Sequence, residues 1–236
     1  LTLRLKNNNN TILENTVQRT KQNYGLFISS GAGDYNLIYN NNLINNRKAV
    51  SDGFDNWKNQ WYYKGKGNYY SDHKCIGNWL CTNSYIVSSI KQDKYPLRYP
   101  SSWLYEEPTV TIQGTGKLGE PMNITYKDAR NPNDSFLFII AAGNKTGIPL
   151  PDGRTVYIDN DLILNVYLSA PQLFGVQPIA GKLDKNGEAH LVWIPPAQIP
   201  QIRGITFYLT VLSLDETKQL PEMVTGIGKT VSKTII

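Results

Sequence analysis

The sequence predicts an all-β fold. A short right-handed parallel β-helix segment with an aromatic closing segment comes first, and a C-terminal β-sandwich follows. Three observations carry this reading. Residues 10–17 (NTILENTV) return as residues 36–43 (NLIYNNNL), an offset of 26 positions that matches Asn with Asn and aliphatic with aliphatic. A period in the twenties is the mark of a stacked coil, in which like positions sit above one another. Aromatic side chains then crowd into residues 54–79. Beyond residue 100, short β-branched runs alternate with Gly, Pro, Asn and Asp, the pattern of strands joined by turns.

In the coil region, Ile12 and Ile38 are expected to meet inside one core. Asn10 with Asn36 and Asn15 with Asn41 are expected to form side-chain amide ladders at the corners. Tyr24–Ile28 and Lys48–Val50 supply further strands, which gives at least two strands per coil. The first hundred residues contain 17 Asn, in keeping with repeated corners. The chain starts at Leu1 without an initiating Met, which reads as a processed start and as the last two to three coils of a longer solenoid.

A solenoid end exposes its core and its backbone edges, and it needs a cover. Phe54, Trp57, Trp61, Tyr62, Tyr63, Tyr69, Tyr70 and Trp79 suit that role. Trp57, Trp61, Tyr63, Tyr69 and Tyr70 also suit a second role as a stacking platform for sugar rings. Alternation would turn Trp61 and Tyr63 to one side and Tyr62 to the other. Cys75 and Cys81 lie in one short segment. Their closeness suits a local disulfide in an oxidising compartment, with free thiols or a metal site that includes His73 as the alternatives.

Several segments of this first part resemble the C-terminal end of the NosD-like β-helix family, also called the CASH type of repeat. They are the Asn-x-Ile coils, Asp52-Gly53, Asn56-Trp57, Gly67-Asn68-Tyr69-Tyr70-Ser71-Asp72 and Arg98-Tyr99-Pro100. The resemblance covers about residues 7–100 and implies the fold and an extracytoplasmic setting. The usual Asp/Gly-rich stretch of that family is replaced here by HKCIGNWLCTNSYIV. The later segments FLFIIAAG, IPLPDGRTVYID, LDKNGEAHLVWIP and GITFYLTVL resemble an accessory sandwich module of secreted bacterial proteins.

The expected domains are residues 1–100 (terminal coils and cap) and 101–236 (sandwich), joined at a stiff Tyr95–Ser102 linker with two prolines. Expected strands in the second part are Thr109–Ile112, Met122–Tyr126, Phe136–Ile140, Val156–Ile158, Ile163–Leu168, Ala189–Ile194, Ile205–Leu214 and Thr230–Ile235.

Charge is uneven. Residues 1–100 carry 13 Lys+Arg against 6 Asp+Glu, and residues 101–236 carry 11 against 13. The basic half favours acidic partners, but its cations are scattered, so nucleic acid is not the expected ligand. No apolar run is long enough to span a membrane.

Catalytic signatures are missing. There is no G-x-S-x-G, H-E-x-x-H or P-loop, and Gly114-Thr115-Gly116-Lys117 lacks the P-loop spacing. His190 belongs to an alternating strand surface, and His73 reads as structural. Asp34, Asp52, Asp55 and Asp72 read as turn formers. The expected function is therefore a non-catalytic extracellular or cell-surface attachment module. Its expected partner is polysaccharide or a cell-surface polymer, with self-association possible and with no catalytic residue, cofactor or metal. The alternatives are a subunit of an extracellular assembly, and the non-catalytic end of a polysaccharide lyase or glycoside hydrolase.

Overall fold

The computed structural model describes residues 3–4, 8–21, 24–28, 34–52, 58–88 and 91–236; for residues 3, 4, 51 and 52 it describes the backbone alone. The chain divides into two compact units, Leu1–Tyr105 and Glu106–Ile236.

The first unit opens with eight strands: β1 (Leu3–Arg4), β2 (Thr11–Leu13), β3 (Thr16–Gln18), β4 (Tyr24–Ile28), β5 (Leu37–Tyr39), β6 (Asn42–Ile44), β7 (Lys48–Asp52) and β8 (Tyr69–Tyr70). They form three all-parallel sheets, β1-β4-β7, β2-β5 and β3-β6-β8, so the chain winds as a parallel β-helix. Ile12 pairs with Ile38, as the repeat requires. Ile12, Val17, Leu26, Ile28, Ile38, Leu43 and Val50 fill the interior, and Trp61 and Tyr70 join the same cluster.

The corners explain the Asn content. Glu14 and Asn40, and likewise Arg19 and Asn45, take positive φ at equivalent places in successive coils. The residue after each left-handed corner starts a rung. Asn15 donates its side-chain N–H to Asn41 Oδ1 (3.1 Å), and Asn41 donates to Asn68 Oδ1 (2.9 Å). A second ladder runs from Asn10 through Asn36 (2.8 Å) to Asn59 (3.0 Å). At the third corner Thr20 Oγ1 donates to Asn46 Oδ1 (3.0 Å). Each amide satisfies backbone groups that a bare corner would leave unpaired.

The coil length changes at specific corners. Thr16 pairs with Asn42, 26 positions on, whereas Tyr24 pairs with Lys48, 24 positions on. The corner after β6 is two residues shorter than the corner after β3. Leu37 bridges Gln60 in parallel, and Asn42 pairs with Tyr69. Tyr69 thus lies nine positions after Gln60, while Asn42 lies five after Leu37. The four extra residues make a tight turn closed by Tyr63 and Lys66, with Lys64 at φ 47° and Gly65 at φ 76°.

A cap follows. An antiparallel hairpin of β9 (Tyr85–Ile86) and β10 (Gln92–Asp93) lies beyond the coils. Tyr85 stacks on Tyr70 with ring centroids 3.7 Å apart. Cys75 and Cys81 form a disulfide, and Arg98 donates to the carbonyl of Gly77 across that loop (2.7 Å).

The second unit is a sandwich of two antiparallel sheets. One has the order β11 (Thr109–Gln113), β12 (Met122–Lys127), β18 (Glu188–Trp193), β16 (Val176–Gln177). The other contains β17 (Ala180–Lys182), β13 (Ser135–Ala141) and β19 (Thr206–Leu214), with β20 (Val224–Ile227) and β21 (Val231–Thr234) both paired to the far side of β19. A short hairpin of β14 (Ile148–Pro149) and β15 (Thr155–Val156) lies outside the two sheets. Met122, Ile124, Tyr126, Leu191 and Trp193 of the first sheet pack against Phe136, Phe138, Ile140, Phe207, Leu209 and Val211 of the second. Inward and outward residues alternate along β12 and β18, as expected for sheets with one buried face.

One expected strand is corrected. Ile163–Leu168 lies within a helix, α1 (Leu162–Ser169). Asp161 caps it by accepting from the Leu164 backbone N–H (2.9 Å). Leu164 and Tyr167, three positions apart, are its buried residues, and the Tyr167 hydroxyl donates to the Phe138 carbonyl.

Candidate functional site

The turn of extra residues builds the surface of interest. In the coil above, Ile38 points inward and Tyr39 outward. The parallel bridge at Leu37–Gln60 sets Trp61 beneath Ile38, and Trp61 is only 1% exposed. From there the chain turns out. Tyr62 is half-buried, and Tyr63 is 37% exposed. The expected alternation, with Trp61 and Tyr63 on one side, is corrected: the left-handed turn at Lys64–Gly65 ends the strand before Tyr63 can point inward.

Two tyrosine pairs, linked along the chain by the neighbours Tyr62 and Tyr63, stand on this flank. Tyr39 and Tyr63 have ring centroids 5.4 Å apart, and Tyr62 meets the edge of Tyr95 at 5.1 Å. Tyr95 is 40% exposed. Two cations border the rings, with Lys64 Nζ 5.2 Å from the Tyr63 centroid and Lys94 Nζ 6.0 Å from the Tyr62 centroid. At the other end of β5, Lys58 lies 4.9 Å from the Tyr35 ring but also pairs with Asp34 at 3.1 Å. That carboxylate raises the Lys58 pKa.

The residues expected to form a platform separate. Trp57 lies outside the described residues. Trp61 and Tyr70 are core residues, 1% and 2% exposed, and they close the coil interior, so neither ring can stack on a ligand. Tyr69 is half-buried on the outer side of β8, beside Asn42. Among the described members of the expected group, Tyr63 stands on the flank. Tyr39, Tyr62, Tyr95, Lys64 and Lys94 were missed, since nothing local in the sequence signals that Tyr95 returns beside Tyr62.

The ladder ends at a carboxylate. Asp93 is buried, and its oxygens accept from the Asn68 backbone N–H (2.7 Å), the Asn68 side chain (3.2 Å), the Tyr70 hydroxyl (3.1 Å) and the Tyr95 backbone N–H (3.0 Å). Burial pushes its pKa up to about 7, against hydrogen bonds that favour the charged form. Burial likewise raises the pKa of Tyr70.

Neither histidine is among the residues of the Tyr39–Tyr63 and Tyr62–Tyr95 ring contacts. His73 lies with Nε2 3.1 Å from the Asn83 carbonyl oxygen, and burial lowers its pKa. His190 is exposed on β18. Among the described residues, no three His, Cys, Asp or Glu side chains converge on a metal position.

Residues 2–75, roughly a third of the chain, match the family model described as NosD, periplasmic copper-binding protein. The coil segment is NosD-like. The matched NosD-like region contains the three sheets and the exposed turn, and it ends before Asp93, Lys94 and Tyr95. A comparison with curated proteins gives no match.

Proposed function

We propose that this chain is a non-catalytic, extracytoplasmic attachment module that holds polysaccharide against the flank of its coil. The observation that carries this reading is the group of partly exposed tyrosines (Tyr39, Tyr62, Tyr63 and Tyr95) on a scaffold locked by Asn ladders. A phenol ring stacks on the apolar face of a sugar while its hydroxyl reaches the sugar's own hydroxyls. The stacked rungs keep these rings fixed, so little ordering is lost on binding. The disulfide and the periplasmic description of the NosD family both fit an extracytoplasmic setting. Among the described residues, no helix is long and apolar enough to cross a membrane.

Copper, in the printed description of the family, would need thiolate, thioether or imidazole ligands brought together. Here Cys75 and Cys81 are joined to each other, and no three His, Cys, Asp or Glu side chains converge among the described residues. With both cysteines in the disulfide, neither offers a thiolate to copper.

A polysaccharide array tests the proposal. The whole chain is expected to retain a subset of glycans, and Tyr63→Ala with Tyr95→Ala is expected to lower retention at least tenfold with an unchanged melting temperature. Undiminished retention by that double variant would remove the flank from the account.

A further inference from the structure

We infer that the flank selects an acidic polysaccharide, one bearing carboxylates along a stacked sugar chain. This rests on the polysaccharide reading above and adds the ligand's charge. Lys64 and Lys94 each lie beside a tyrosine of the pair of ring contacts. Neither forms an ion pair with a carboxylate among the described residues, unlike Lys58, which Asp34 already holds. The ammonium groups lie over the Tyr63 and Tyr62 rings on flexible stems, so a pyranose that takes either ring face displaces its ammonium toward the ring edge, beside the sugar's substituents. A carboxylate there gains a charge-assisted hydrogen bond, whereas a neutral hydroxymethyl group gains only a weaker one.

The surrounding field has the same sign. The unit that bears the flank has 13 Lys+Arg against 6 Asp+Glu, and the remainder of the chain is slightly acidic. Such an asymmetry draws a polyanion to the coil and away from the sandwich. The density of charge favours a polyuronate over a nucleic acid. Duplex DNA presents a charge about every 1.7 Å and is met by runs of Lys and Arg. Two lysines, each over a ring of its own tyrosine pair, suit a polymer whose sugars carry a carboxylate beside a stackable face.

Affinity electrophoresis of the whole chain in gels containing polygalacturonate, its fully methyl-esterified form or a single-stranded oligonucleotide tests this. The wild type is expected to be retarded by polygalacturonate at least tenfold more strongly than by the ester. Lys64→Gln with Lys94→Gln is expected to remove that preference and leave weak binding to both polymers. Tyr63→Ala with Tyr95→Ala is expected to abolish binding to both. Lys74→Gln, outside the flank, is expected to change nothing.

Equal retardation by acid and ester would overturn the acidic-ligand inference while leaving the polysaccharide reading intact. No retardation by either polymer would overturn both. Stronger retardation by the oligonucleotide would replace the polyuronate with nucleic acid. A preference that survives the double lysine variant but falls in Lys74→Gln would overturn the assigned site in favour of diffuse charge. Melting curves of each variant separate loss of the site from loss of the fold, and Tyr63 and Lys64 are exposed enough to be changed without opening the core.

Discussion

Asp93 ends its ladder because its two oxygens accept four hydrogen bonds and it has no amide to pass the chain on. Asn41 and Asn68 each use Oδ1 to accept from the previous rung and Nδ2 to donate to the next. The last rung has no further acceptor to donate to, and four donors converge on it. An Asn there would turn an amide N–H toward another donor. The other ladder shows the alternative: it reaches Asn59, which is buried and whose Nδ2 has no partner among the described residues. Asn68→Ala should therefore lower stability by about 3 kcal/mol or more, since it strips acceptors and donors from buried groups on both sides. Asn59→Ala should cost about half as much. Equal losses in denaturant titrations would refute this ranking. Asp93 also sets a pH dependence. Its folded pKa of about 7 lies above the ordinary 3.8, so the folded carboxyl keeps a proton that the unfolded one has lost. Its stabilising contribution is complete below pH ~3.8 and is lost as pH rises through about 7. At ~1.4 kcal/mol per pH unit, the difference is on the order of 4 kcal/mol. Asp93→Asn is expected to be less stable at pH 4 and to show a flat profile from pH 4 to 8.

At the scale of elements, the cap and the helix make separate predictions. The disulfide closes a short loop, so Cys75→Ser with Cys81→Ser should lower the stability of the cap by about 2 kcal/mol, read as faster hydrogen exchange in residues 68–99. Unchanged exchange there would show that Arg98, bonded to the Gly77 carbonyl, and the Asn83 side chain, which accepts from the Ile76 N–H and donates to the Lys74 carbonyl, hold the loop unaided. Asp161→Ala removes the α1 cap and a bond from the Ala142 N–H, and it should cost about 1–2 kcal/mol. These elements also mark how far the sequence could be read. Ile12 and Ile38 were legible because two uninterrupted coils repeat the same residue types in register. The third coil was not legible, because the turn at Tyr63–Lys66 shifts its offset and replaces aliphatic residues with Trp61 and Tyr70. The α1 segment reads as a strand by its aliphatic content, and its capping Asp161 was the overlooked signal. Asp93 could not be recognised as a rung, since its residue type differs from the three above it and a hairpin delivers it.

Across the whole molecule, the two units carry opposite acid responses. In the sandwich unit, the backbone N–H groups of Thr146 and Gly147 hold Asp159 at a pKa of about 2, and Lys218 does the same for Asp215. Folded pKa values below the ordinary 3.8 give stability that is present above that pH and lost as pH falls through about 2. Lowering the pH from 8 to 4 should protect the cap through Asp93, and a further fall should loosen the sandwich. Hydrogen exchange read separately in residues 58–105 and 106–236 checks this, and protection that falls together in both units from pH 8 downward would contradict it. The basic bias of the first hundred residues was legible from composition. The flank was not, because it is assembled from β5, an inserted turn and the end of β10, which meet only when the coil closes.

Disulfide trapping between rungs tests the coil most directly. Thr11 and Leu37 are register partners on neighbouring parallel strands, close enough for a bond between engineered cysteines. Thr11→Cys with Leu37→Cys should give an internal cross-link, seen by non-reducing mass spectrometry, while Thr11→Cys with Tyr39→Cys should give little. Cross-linking in the second pair and none in the first would show that residues 11–13 and 37–39 are not stacked in this register.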